Sequence, residues 1–134
     1  MDHLFELLIS EKHLDIFNHV NNAAYLQIFE EARWDWIARN GFGRGEMKEY
    51  GVGPVILEVR MRFHKEVANG ERVLIRTRTV EYRGKLGRLE QVMRKADGHI
   101  ACTAHFVIGL FDLKARKLIK PTPQWLKAIN SSQA

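Results

Sequence analysis

The chain has 134 residues, 46% hydrophobic and 28% charged, with 21 Lys and Arg against 16 Asp and Glu for a net charge of +5. That length suits one domain spanning residues 1–134, the composition excludes global disorder, and a core of this size leaves apolar surface for a partner subunit. The basic excess contains no run of five Lys or Arg, so it suits an anionic ligand without signalling nucleic acid.

The chain opens with "MDHLFELLISEKH", which has an acid and no basic segment at its start, so no signal peptide is expected. No apolar run is long enough to cross a bilayer. Residues 4–10, "LFELLIS", read as strand or helix. Asn21 and Asn22 are good helix N-caps, because an amide oxygen accepts the orphan N–H groups of a first turn. Beyond them Tyr25, Leu26, Phe29, Ala32, Trp36 and Ile37 recur at three- and four-residue spacing, which predicts a helix over 22–39. Asn40-Gly41 supplies its stop.

After Gly53 the period changes. Val55, Leu57, Val59, Met61 and Phe63 alternate with Ile56, Glu58, Arg60, Arg62 and His64, the pattern of a half-buried strand. Asn69-Gly70 marks a turn. "RVLIRTRTVEY" (72–82) is β-branched and reads as the next strand. "RGK" (83–85) turns the chain into "GRLEQVMRKA" (87–96), and Asp97-Gly98 signals a hairpin into "HIACTAHFVIGLFDL" (99–113), a central strand. "PTPQWLKAI" (121–129) suggests a short terminal helix. Strand, long helix and four strands joined by short turns predict an α+β layer with antiparallel neighbours. Ile56, Val80 and Val92 fall opposite the core-facing sets, so the sheet's other face is not wholly polar. A homodimer that covers it is expected.

Cys102 is the only cysteine, which excludes an intrachain disulfide and is compatible with a reducing cytosol; a cytoplasmic location is the expectation. In its apolar run Cys102 reads as a small buried hydrophobe.

The stretch "HLDIFNHVNNAAYLQIFEEARWDWI" (13–37) carries the chemistry. It sets the carboxylate of Asp15 and the imidazole of His19 directly before a helix start. A helix N-terminus offers unpaired N–H groups and partial positive charge, which can hold a carbonyl oxygen as it becomes an oxyanion. A nearby carboxylate can attack that carbonyl or activate water against it. These parts suffice to hydrolyse an activated acyl group such as a thioester. There is no G-x-S-x-G for a serine hydrolase. On position alone, however, a simple stabilising role in the helix dipole is the stronger reading for Asp15.

The residues Asp15, His19, Val20, Asn21, Asn22, Tyr25, Glu30 and Arg33 resemble the signature of the 4-hydroxybenzoyl-CoA thioesterase-like hot-dog family. Its acyl-CoA thioesterase branch shows D-x-x-x-H-V-N-N-x-x-Y before a long central helix. The segments "GVGPVILEVRMRFHKEVANGERVLIRT" and "ADGHIACTAHFVIGLFD" resemble its later strands. The resemblance implies a hot-dog fold, a long central helix wrapped by a five- to six-stranded antiparallel sheet. It also implies an acyl-CoA thioesterase with Asp15 as nucleophile or general base and the Asn22 backbone N–H polarising the thioester carbonyl. His19 is a candidate for catalysis or for fixing the loop by hydrogen bonds. Asn21 and Tyr25 are candidate substrate-binding residues, Tyr25 also reading as a packed helix residue with a bonded hydroxyl. Plant acyl-carrier-protein thioesterases share a related D-x-N-x-H-V-N-N run, but Phe17 stands here where their Asn would be. Relatives often carry an acid where this chain has His13, a glycine where it has Asn18, and a proline where it has Glu66.

The resemblance implies no dissociable cofactor, since CoA is part of the substrate, and a homodimer or homotetramer with a site shared between subunits. Lys65, Arg83, Lys85 and Arg88 lie near predicted strand ends and turns and are candidates for binding the CoA phosphates, although each taken singly reads more simply as a solvated turn charge. The six histidines form no helical H-x-x-x-H pair and no zinc spacing, so no metal is expected; His64 and His105 read as strand residues satisfied by neighbours. Phe29, Trp34 and Trp36 read as core or subunit packing. Of Glu30 and Glu31, one is a candidate for burial against Arg33 or a partner. The alternative function is a non-catalytic acyl-CoA or acyl-carrier-protein binding module on the same fold. A hot-dog dehydratase would carry H-F-P-x-x-P-x-x-P-G, and a nucleic-acid module a recognition motif; neither is present.

Overall fold

A computed structural model describes residues 2–131. The order is β1 (His3–Leu8), a 3-10 turn (Glu11–His13), α1 (Asn22–Arg39), α2 (Arg44–Tyr50), β2 (Val52–Phe63), β3 (Arg72–Arg83), β4 (Leu86–Lys95), β5 (Ile100–Asp112), β6 (Lys117–Ile119) and α3 (Pro123–Ala128). The strands form one antiparallel sheet in the order β1-β3-β4-β5-β2, with β6 also paired to β5. One long helix packed on one face of such a sheet is the α+β hot-dog fold.

Helix α1 occupies the expected span. The Asn21 side chain accepts from the Ala23 N–H at 2.9 Å, and Gly41, at φ +87°, carries the chain out beyond Asn40. Its buried face is Ala24, Tyr25, Ile28, Phe29, Ala32, Trp36 and Ile37. Leu26 is the exception to the predicted stripe and lies exposed, as do Glu30 and Glu31, so neither acid is buried against Arg33.

The sheet's inner face is set by β5, where Cys102, Ala104, Phe106, Ile108 and Leu110 alternate into the core. Phe106 meets Phe29 edge-on, with ring centroids 6.4 Å apart, and the Arg33 guanidinium stacks 4.3 Å above the same ring. Gln91 locks helix to sheet. Its amide nitrogen donates to the Phe29 carbonyl and to Thr77 Oγ1, both at 3.0 Å, while Arg33 donates to its Oε1 at 3.0 Å. Gly87 lies against the Tyr82 ring, where an added Cβ would come within 2.6 Å. The Tyr82 hydroxyl accepts from Trp125 of α3, closing that end of the core.

Three features depart from the periodicity. The glycine-rich segment after α1 forms α2, begun by Glu46 accepting from the Gly43 N–H at 2.7 Å and ended by left-handed Gly51. Residues 117–119 add β6, reached through a turn in which Asp112 accepts from the Lys114 and Ala115 N–H groups. Finally, β2 carries a bulge at Leu57: Ile56 pairs with Ile108, and Glu58 with Val107. One extra residue inverts a period-2 pattern. Ile56 therefore shares the helix-side face with Val59, Met61 and Phe63, and Val55 turns to the outer face. Val80 stays exposed, whereas Val92, opposite outward Thr103, is buried outside the main core cluster.

Candidate active site

The loop before α1 is held at both ends. Asn21 N–H donates to the His13 carbonyl at 2.8 Å and Val20 N–H to the Val67 carbonyl at 2.9 Å. Between them the chain folds on itself, with Asp15 N–H donating to the His19 carbonyl and Asn18 N–H to the Asp15 carbonyl. Asn18 adopts φ +64°, a left-handed conformation that asparagine tolerates better than most residues. It thereby keeps the turn between Asp15 and His19 closed without a glycine. His13 is buried and its Nδ1 accepts from the Ser10 N–H at 3.0 Å, so in this chain that position closes the turn before the loop.

Asp15 is half-buried. One carboxylate oxygen accepts from the Phe17 N–H at 2.8 Å and the His19 N–H at 3.3 Å, which orients the group and leaves its second oxygen without a hydrogen bond among the described residues. His19 Nε2 lies 3.3 Å from a Glu66 carboxylate oxygen. In the first turn of α1, Ala23 N–H is capped by Asn21, and the Ala24 and Tyr25 N–H groups reach the Asn21 carbonyl. The Asn22 N–H alone finds no acceptor among the described residues. A free N–H at a helix start, with the dipole behind it, is a donor waiting for an oxygen.

Asp15, His19, Asn21, Asn22 and Tyr25 line one open cleft of about 480 Å³, closed on the far side by Phe63, His64, Lys65 and Glu66. Tyr25 is buried, edge-on to Phe63 at 5.2 Å. Its hydroxyl, expected to be bonded, makes no hydrogen bond among the described residues. Burial pushes its pKa up to about 12, with Cys102, Glu66, Glu71 and Asp15 adding to the rise. Burial likewise pushes the Cys102 thiol up to about 12, which leaves it an un-ionised, packed hydrophobe.

Arg83, Lys85 and Arg88 are not brought to this cleft within one chain. They flank the β3–β4 turn, whereas Leu8, from which the chain runs into the Asp15 loop, pairs with Arg72 at the other end of β3. Arg83 and Arg88 both approach Glu81, at 3.6 and 3.5 Å. Of the histidines, His64 lies just past β2 with Nε2 at 3.1 Å from Thr103 Oγ1; His105, expected to be satisfied by neighbours, makes no hydrogen bond among the described residues and is exposed. No group of three or more His, Cys, Asp or Glu among the described residues could hold a metal ion.

Sequence reasoning missed a second cavity, of about 210 Å³, at the other half of β2. Arg33, Trp34, Pro54, Ile56 and Trp125 help line it. The bulge at Leu57 puts Ile56 there, and no short-range signal announces a bulge.

A family model described as the thioesterase-like superfamily matches residues 10–129. The chain is 30% identical over 108 residues to the long-chain acyl-CoA thioesterase FadM of Escherichia coli, covering 80% of this chain and 81% of that protein. Among solved structures, a Staphylococcus aureus protein in complex with CoA superposes with a TM-score of 0.91 at 18% identity, covering 97% of this chain and 82% of that one. A 1,4-dihydroxy-2-naphthoyl-CoA thioesterase from Synechocystis gives a TM-score of 0.88 at 16% identity, with 98% of each chain covered.

Proposed function

The chain belongs to the thioesterase-like superfamily and is a hot-dog thioesterase, and from that premise we propose that it hydrolyses acyl-CoA at the Asp15 cleft. The observation that carries the reading is the pairing, in one cleft, of a loop-oriented carboxylate with the acceptor-free N–H of Asn22. The thioester carbonyl oxygen accepts from that N–H, which grows stronger as negative charge develops on the oxygen. Asp15 acts as nucleophile or general base. In the general-base route, water adds to the carbonyl carbon and its proton passes to Asp15. The C–S bond then breaks, and the departing CoA thiolate takes the proton that Asp15 accepted, which restores the carboxylate. The products are a free acid and CoA, and the scheme uses no dissociable cofactor. His19, hydrogen-bonded through its backbone to Asp15 and with its ring 3.3 Å from Glu66, fixes the loop. Asn21 holds the helix start, and Tyr25 lines the acyl side of the cleft.

The proposed working unit is a homodimer or a tetramer built from it. Among the described residues strand β2 pairs on one side only, and Ile56, Leu57, Val59 and Phe63 along it are exposed. An apolar edge strand is a template for pairing. In a two-fold pair of β2 edges, the Phe63 end of one strand faces the Pro54–Ile56 end of the other. The cavity beside Ile56, mainly apolar in lining but edged by Glu30 and Arg33, then adjoins the partner's Asp15 cleft, a shared site with room for an acyl tail. The lone, buried cysteine fits a cytoplasmic enzyme.

Thiol release across a series of acyl-CoA chain lengths tests the activity. Release by the wild-type protein that disappears in Asp15→Asn is the expected result. Tight acyl-CoA binding with no thiol release would instead favour the binding-module alternative.

A further inference from the structure

Beside the Asp15 cleft, on the outer face of the sheet, lies a groove of about 490 Å³ lined by Arg60, Arg62 and Lys65, by the imidazoles of His64, His99 and His105, and by no carboxylate. The pleat builds it. Arg60 pairs with His105 and Arg62 with Thr103, so both arginines stand on the face opposite Phe106 and Cys102. Arg60, Arg62 and Lys65 make no ion pair among the described residues, whereas the other arginines of the outer face on β3 and Arg88 on β4 each have a carboxylate within 4 Å. His99 is paired with Asp97, and His64 with Thr103. Three unpaired cations crowded on one groove repel one another and carry a standing attraction for anions. The groove is also continuous with the catalytic cleft, because His64 and Lys65 line both.

We propose that this groove binds the phosphate-bearing end of CoA, with Arg60, Arg62 and Lys65 holding its 3′-phosphate and pyrophosphate while the thioester lies against Asp15 and Asn22 of the same chain. The inference rests on the acyl-CoA reading above. CoA joins three phosphate groups to a thioester through a neutral, flexible arm, and the molecule presents the same order: cations, a junction at His64 and Lys65, then carboxylate and free N–H. Guanidinium groups suit phosphate because their fork of donors matches its oxygens. The β3–β4 turn offers no such set, since Arg83 and Arg88 already share Glu81.

Two measurements decide it. Calorimetric titration of the full chain with adenosine 3′,5′-bisphosphate should show binding that Arg60→Glu combined with Arg62→Glu weakens by about tenfold or more, the size expected for charged hydrogen bonds. In steady-state assays the same variant should raise KM for acyl-CoA by about tenfold relative to KM for the same acyl group on pantetheine, which carries no phosphate, because phosphate contacts are largely uniform binding. Lys65→Glu alone is a milder second variant should the double change disturb the sheet. An equal KM change for both substrates would overturn the proposal. So would a rise seen on reversing Arg83 and Lys85 but not Arg60 and Arg62, or a loss confined to an acyl-carrier-protein substrate, which would make the groove a protein-docking surface. Bisphosphate binding that depends on Arg60 and Arg62 in a protein that releases no thiol would sustain the groove and sink the hydrolase.

Discussion

At the scale of the residue, the proposed scheme divides the work between the Asp15 side chain and the Asn22 backbone. The Asp15 carboxylate is held through one oxygen by two loop N–H groups, so Asp15→Asn keeps a side-chain oxygen that can accept the same bonds while losing the charge and basicity. Turnover should fall by about 10²–10⁴, the usual worth of a positioned acid–base group, with the circular dichroism spectrum and melting temperature little changed. An Asp15→Asn enzyme that keeps most of its rate would remove this carboxylate from the chemistry. The two asparagines should separate cleanly. Asn21, not Asn22, supplies the side-chain cap, so Asn21→Ala should cost about 1 kcal/mol of stability. Asn22→Ala should leave both stability and turnover close to wild type, because the free N–H survives the substitution. Denaturant melts and thiol release on the two variants check this, and a deep loss of turnover in a folded Asn22→Ala protein would assign chemistry to the amide.

At the scale of the element, α1 is locally specified at both ends, yet its seating depends on the sheet. Gln91 on β4 satisfies the Phe29 carbonyl, Thr77 and Arg33 at once. Arg33 has no carboxylate within ion-pair distance among the described residues, and burial pushes its pKa down to about 10, so its bond to Gln91 matters more than a surface contact would. Gln91→Leu has similar volume but leaves buried donors and acceptors unpaired, so it should destabilise the protein by about 2–4 kcal/mol. Urea unfolding measures the loss; a change below about 0.5 kcal/mol, typical of an uninvolved surface position, would show that water replaces the network. The Leu57 bulge shows the same dependence. Alternation along β2 is readable, but the phase reverses where the strand admits an extra residue, and only pairing with β5 reveals that position.

At the scale of the whole molecule, the edge position of β2 bears on assembly. Four apolar residues along an unpaired strand edge are a liability in a monomer, so light scattering at micromolar concentration should show a dimer or larger and no appreciable monomer. Lys substituted for both Leu57 and Val59 should yield monomers with little activity; a fully active monomer would sink the shared-site arrangement. The packed core also sets the alkaline limit. Cys102 and Tyr25 both have folded pKa values of about 12, raised mainly by burial, while an unfolded thiol titrates near ~8.5. The folded state therefore holds protons that the unfolded state releases, and stability present below about pH 9 is lost as pH rises toward 12. Melting temperature should fall across that window, and Cys102→Ala should make the fall shallower. An identical slope in the variant would mean that other groups govern it.

The sequence by itself determined the features whose causes lie within a few residues of one another. Asn21 and Asn40-Gly41 bound α1 because caps act on the adjoining turn. Asn69-Gly70 and Asp97-Gly98 reverse the chain because glycine adopts a positive φ there. The motif from Asp15 to Tyr25 is contiguous, so its residues fall on one side of the cleft they line. Tertiary structure decided what depends on partners distant in the chain. Sheet order put β2 at the edge, and pairing with β5 inverted its faces. It also carried His64 and Lys65 to the Asp15 loop and set Arg83, Lys85 and Arg88 at the far end of the sheet. Even the role of Asn22 needed it: a capping amide reads the same at either asparagine, and only the folded loop, with the His13 carbonyl taking the Asn21 N–H, leaves the Asn22 N–H free. Strand register and loop closure join residues tens of positions apart, and no property of a single segment specifies the segment it will meet.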